Sequence, residues 1–233
     1  MKRPTLTNKM NAIFLIVLTL LSLQAAAQSP LERLAAMNKL YAEASDFSME
    51  LQVQVFQDGQ TGVTNINGKV LKQGQQYYSK VGHWENLFNE KCVLMVNHEH
   101  QTVVYAPALA ANNLSAWAGN PMDNFAAWKN LPKEWITDAN GKKRIRMTHQ
   151  EPALESTEVL LGEDGRLLAL TYYYRATEES GPMRVEISYR NVSFEPDFSK
   201  ASFSEKTFIQ GSGPRAKLTP AFPNYKLLNQ FSR

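Results

Sequence analysis

The chain has 233 residues, of which 25 are basic and 22 acidic. Lys2, Arg3 and Lys9 are the only charges in the first 27 residues, so the remainder carries 22 of each sign and is neutral. A neutral chain lacks the basic surface that nucleic acid requires, and no nucleic-acid partner is expected.

The N-terminus reads as a cleavable secretory signal. A basic start is followed by the apolar run "NAIFLIVLTLLSL", Asn11 to Leu23, and by "QAAAQ" with small residues at Ala25 and Ala27. Cleavage is expected between Ala27 and Gln28. The apolar run is shorter than the roughly 20 residues a membrane span wants, although an uncleaved anchor is the alternative. No cysteine follows the cleavage point, as a lipid-anchored bacterial lipoprotein would need, so the product is expected to be periplasmic or secreted. The single cysteine, Cys92, cannot form an internal disulfide and is expected to face the core as a small hydrophobe. A chain of ~200 residues needs no such staple. "NLS" at Asn113 and "NVS" at Asn191 match the glycosylation sequon, a short pattern common by chance.

Residues 28–210 read as one domain. Ser29, Pro30 and Glu32 form a helix start with a capping box, and Leu31, Leu34, Met37, Leu40 and Tyr41 recur at helical spacing. The period then changes to two. Phe47, Met49, Leu51, Val53 and Val55 alternate with Ser48, Glu50, Gln52 and Gln54, which predicts a half-buried strand. "TGVTNINGKVLKQ" and "QQYYSKV" predict two strands around Gly74, and "KCVLMVN" and "TVVYA" a further pair. The stretch from Ala106 to Trp135 is rich in alanine, holds three of the four tryptophans and does not alternate, so short helices over the sheet or across its mouth are expected, with an irregular, partly exposed loop as the alternative. Strands resume at "KRIRMTHQ", "STEVLLG", "RLLALTYYYR" and "MRVEISYRNVSF", with "GEDG" as a turn and "EKTFI" as the last strand. Short turns between neighbours predict an antiparallel meander. Residues 211–233 carry three prolines and read as a tail that straps on through Phe222, Tyr225 and Leu227, or is mobile.

This order resembles the periplasmic lipoprotein-carrier family with its LolA/LolB-like half-barrel. "LERLAAMNKLYAEASDFSMELQVQVF" resembles that family's opening helix and first strand, and "GKVLKQGQQYYS" the strand it writes as Gly, apolar residues, Lys-Arg-Pro and an aromatic. "VNHEHQTVVYAP" resembles its central hairpin and Tyr-containing strand, while "LGEDGRLLALTYYY" and "VSFEPDFSKASFSEKTFI" resemble its late hairpin and closing strand. The resemblance implies a mainly β (α+β) fold: a curved antiparallel sheet with short helices over the concave face, enclosing an apolar cavity for acyl chains. Two departures stand out. Gln73 occupies the place of the family's latch arginine, and "NHEHQ" replaces its Asp-Gly turn.

Chemistry is sparse. His98 and His100 are two apart and would share a strand face, but a zinc site wants a third ligand, and His83 and His149 are the only other histidines. A solvated hairpin tip is therefore expected, and no metal or cofactor. No Gly-x-Ser-x-Gly and no glycine-rich phosphate loop is present. A buried His149 paired with a carboxylate in a cleft would be the sign of a hydrolase; otherwise no enzyme is expected. The reading is a monomeric, non-enzymatic carrier of lipids or lipoprotein acyl chains. Phe47, Met49, Leu51, Val53, Tyr78 and Leu94 are expected to line its cavity, and Leu34, Met37, Leu40, Trp117 and Trp128 to form its lid. The alternative is an envelope sensor or scaffold that binds a protein partner without a lipid.

Overall fold

The computed structural model describes residues 28–57, 64–108, 125–177, 180–198 and 203–231. The expected secretory signal and Trp117 lie outside them. Helix α1 (Pro30–Glu43) begins as the capping box indicates. Ser29 Oγ accepts the Glu32 N–H at 3.2 Å, and the Ser29 N–H donates to Glu32 Oε2 at 2.8 Å. Leu34, Met37 and Tyr41, one stripe of the helix, are buried, while Leu40 is half-buried.

Two antiparallel meanders follow. The first is β1 (Asp46–Gln57), β2 (Thr64–Gln73), β3 (Gln76–Val81), β4 (Trp84–Phe88), β5 (Cys92–Asn97) and β6 (Thr102–Pro107), each paired with the next. After the short helix α2 (Phe125–Trp128), the second is β7 (Lys133–Thr137), β8 (Lys143–Thr148), β9 (Leu154–Leu161), β10 (Leu167–Tyr174) and β11 (Met183–Ser193). A two-stranded ribbon of β12 (Ile209–Gln210) and β13 (Lys217–Leu218) comes next, and then β14 (Lys226–Asn229). β1 pairs with β11 from Ser48–Ser193 to Gln57–Met183, and this seam joins the meanders. β14 runs parallel along β6. Among the described residues the sheet has twelve strands, in the order β14-β6-β5-β4-β3-β2-β1-β11-β10-β9-β8-β7. It is curved and not closed into a barrel.

The expected order of strands is thus present, with three corrections. "WENLF" is the strand β4, where none was expected. "KEWIT" is the strand β7 rather than part of a helical cover, because it pairs along its length with β8. "EKTFI" is not a strand of the main sheet: Glu205–Thr207 is a 3-10 turn, and only Ile209 enters the small ribbon. Of the expected central helices, the described part is α2 alone.

Because side chains alternate along a strand, the pairing register assigns every residue to one of two faces. Phe47, Lys72, Tyr77, Phe88, Val93 and Ala106 are successive cross-strand neighbours on one face. Ser48, Leu71, Tyr78, Leu87, Leu94 and Tyr105 are neighbours on the other. The first face carries α1. There Leu34, Met37 and Tyr41 pack with Phe47, Met49, Val70, Trp128, Met147 and Leu170. On the second face the C-terminal segment lies over β2 to β6, with Phe203, Phe208, Phe222, Tyr225 and Leu227 against Leu71, Leu87 and Leu94. Residues 211–231 are thus packed onto the sheet and not detached from it.

Candidate apolar binding face

The six residues expected to line one cavity are divided between the two faces. Phe47, Met49, Leu51 and Val53 point to the helix-bearing face. Tyr78 and Leu94 point to the opposite face, since Tyr78 pairs with Leu71, which itself lies opposite Ser48. Parity within β1 is readable from its alternation, but parity between strands depends on the register across each turn.

On the helix-bearing face the burial is graded. Phe47 and Met49 are about 1% exposed, beneath Leu34 and Met37 at 0% and Trp128 at 3%. That end is a filled core. Toward the far end of β1 the same row continues as Leu51, Val53 and Val55, all half-buried. Val53 lies between Ile66 and Ile187, and Val55 is opposite Val185. Leu170 and Tyr172 extend the row into β10. Leu51 lies opposite Gly68 and Tyr189. A Cβ on Gly68 would stand 2.8 Å from Val81 Cγ2 and 2.9 Å from Leu51 Cδ1, so the two side chains close over the glycine. The face is therefore a dry, helix-covered core that opens into a half-covered apolar surface. Val55, Ile66, Val185 and Ile187 belong to that surface although they were not expected there. The alternation of Val185, Ile187 and Tyr189 in "MRVEISY" carried the signal for two of them.

The opposite face holds the polar feature of the molecule. Tyr78 Oη donates to Glu85 Oε1 at 2.7 Å, and His98 Nε2 meets Glu85 Oε2 at 2.8 Å. Lys80 Nζ approaches the same oxygen at 3.2 Å, and His98 Nδ1 meets Tyr225 Oη at 2.8 Å. With Nε2–H donating to the carboxylate, Nδ1 accepts from Tyr225; the tautomer is inferred from this network. Burial alone would push the Glu85 carboxyl up, but the bonds from Tyr78, His98 and Lys80 outweigh it and hold it below its ordinary value. The Tyr78 phenol is pushed up by burial and by the carboxylate it serves. His98 is thus not at a solvated tip. It is clamped between the sheet and the C-terminal segment, by a partner far along the chain. His100 remains exposed. Among the described residues no three His, Cys, Asp or Glu side chains gather as metal ligands would. His149 is buried, and its Nε2 meets the Thr157 hydroxyl at 2.8 Å. Cys92 is fully buried, and burial pushes its thiol up to about 12.

No family model and no curated protein matches the chain. Solved structures do. A LolA superfamily protein from Nitrosomonas europaea is 9% identical over 77% of this chain and 99% of its own, with a TM-score of 0.33. The lipoprotein LppX of Mycobacterium tuberculosis is 10% identical over 72% of this chain and 97% of its own, with a TM-score of 0.39. An uncharacterized conserved protein from Thermus thermophilus is 9% identical over 73% and 90%, with a TM-score of 0.41. The family that the sequence resembles is named among the solved structures to which this chain is similar. No helix among the described residues is long and apolar enough to cross a membrane.

Proposed function

We propose that this protein is a periplasmic, non-enzymatic carrier that holds lipid or lipoprotein acyl chains against its helix-bearing face. One observation carries the reading: the apolar row of β1 runs without a polar break from a sealed core into a half-buried surface. Leu51, Val53 and Val55, with Ile66, Val185 and Ile187, are the proposed entry. Phe47 and Met49 are the floor that an acyl chain reaches when α1 lifts. Leu34, Met37, Leu40 and Trp128 act as the lid, with Trp117 as a further proposed member.

The magnitudes allow such an exchange. Lifting α1 exposes Leu34, Met37 and Tyr41, at about 1.5–3 kcal/mol each. A chain of about 14 methylenes contributes about 0.8 kcal/mol for each one buried, roughly 11 kcal/mol in all. Replacement of the helix by a ligand is therefore favourable by about 2–6 kcal/mol, a margin small enough for reversible carriage.

The test is native mass spectrometry of the mature protein purified from its own envelope, followed by solvent extraction and by uptake of a fluorescent fatty acid. A co-purifying acyl-chain mass, with uptake lost in Val53→Asp, is expected. A clean apo mass together with no uptake would overturn the carrier reading and favour a protein partner.

A further inference from the structure

At the N-terminal end of α1 lies a second apolar feature, separate from the row of β1. A groove of about 560 Å³ runs between the helix start and strands β7 to β10. Its walls include Trp135, Leu161 and Leu168, and its rim carries Arg33, Lys142, Lys143 and one carboxylate, Glu163. Trp135 and Leu168 are 41% and 42% exposed, and Leu31, in the first turn of α1, is 41% exposed. These are three of the five large apolar side chains that are well exposed among the described residues. Trp135 is oriented as well as exposed, because its indole N–H donates to the Gln28 carbonyl at 3.3 Å.

The charges beside it are arranged unevenly. Asp138, the acid of the β7–β8 turn, is consumed locally. It accepts the N–H groups of Asn140 and Lys142, each at 2.9 Å, and pairs with Arg144 at 3.1 Å. Arg33 is likewise committed, to the carbonyls of Gly162 and Glu163. The ammonium groups of Lys142 and Lys143 have no carboxylate partner among the described residues. A tryptophan and a leucine beside two unpaired lysines present an apolar wedge under a positive rim.

We infer that this end of the molecule docks on an anionic lipid bilayer, with Trp135 and Leu168 at the headgroup boundary and Lys142 and Lys143 over the phosphates. Indole is suited to that boundary because its body is apolar and its N–H polar. Two lysines near an anionic surface raise the binding constant by about thirty-fold in total. The match of an apolar wedge to acyl chains and of a positive rim to phosphates selects a bilayer over a neutral partner. This inference does not depend on the acyl-carrier reading, since the two use different residues.

The experiment is flotation of the full mature protein with vesicles of phosphatidylethanolamine containing one-third phosphatidylglycerol, and with phosphatidylcholine vesicles. Binding to the anionic vesicles alone is expected, weakened about thirty-fold in Lys142→Gln/Lys143→Gln and abolished by high salt. Trp135→Phe keeps an aromatic and is expected to weaken binding without altering the circular dichroism spectrum. Absence of vesicle binding, or binding unchanged in the lysine variant, would overturn the proposal. Uptake of a fluorescent fatty acid, measured in parallel, separates failure of docking from failure of the carrier reading.

Discussion

Truncating Met37 to alanine separates a lid from an ordinary core helix. Met37 is 0% exposed and sits in the cluster that joins α1 to Phe47, Met49 and Trp128. Removing such a side chain costs about 2–5 kcal/mol, through lost transfer energy and the cavity left behind. At a central value of about 3 kcal/mol, the equilibrium it acts on shifts by more than a hundred-fold. If α1 lifts while the sheet stays intact, that factor appears only in the helix. Amide hydrogen exchange of residues 34–43 is then expected to speed up by about a hundred-fold, with the amides of β1 and β11 unchanged. Fatty-acid uptake is expected to accelerate alongside. If the helix separates only when the sheet unfolds, all core amides lose protection together and Tm falls by about 6–12 °C. That second pattern, with uptake unaltered, would refute the lid.

Three further outcomes follow from particular contacts. The Glu85 carboxyl is held below its ordinary value in the folded chain, so its contribution to stability is present above the ordinary glutamate pKa and is lost as pH falls through that value toward the lowered one; Glu85→Gln is expected to flatten part of the acid loss in urea titrations between about pH 6 and pH 3. Gly68→Ala forces Leu51 and Val81 apart and is expected to cost about 1–3 kcal/mol, a cost that Leu51→Ala should relieve in a double-mutant cycle. Cys92, fully buried and with its thiol pushed up to about 12, is expected to resist a thiol reagent in the native protein and to react within seconds after unfolding; rapid native labelling would contradict its burial.

What could be read in advance follows from the range over which each signal acts. The alternation from Phe47 to Val55 and the capping box at Ser29 are local, and both elements form where they were expected. β4 was not legible because its alternation is broken by chemistry: Glu85, a charged residue, is buried through three partners, two on β3 and one in the turn after β5. β7 was hidden because Trp135 ends an alanine-rich stretch, and only its pairing with β8 makes it a strand. The division of the lining set has a similar cause. Tyr77 and Tyr78 are adjacent and equally aromatic, and the two-residue turn at Gly74, with φ +56°, decides which of them faces α1. His98 acquired its role from Tyr225, a residue no local pattern connects to it.

The seam between β1 and β11 also sets the order in which the molecule can be built. β1 is made early, and its partner across the seam is made only after nine other strands have followed. Throughout that interval the twelve residues of β1 form an open edge, with Phe47 to Val55 on one side of it. Closing the seam is a long-range step of the kind that makes folding slow, and an open edge of that length invites pairing with another chain. Nascent chains released before Met183 are therefore expected to aggregate through β1, and refolding of the whole protein is expected to be limited by closure of the seam and not by formation of either meander.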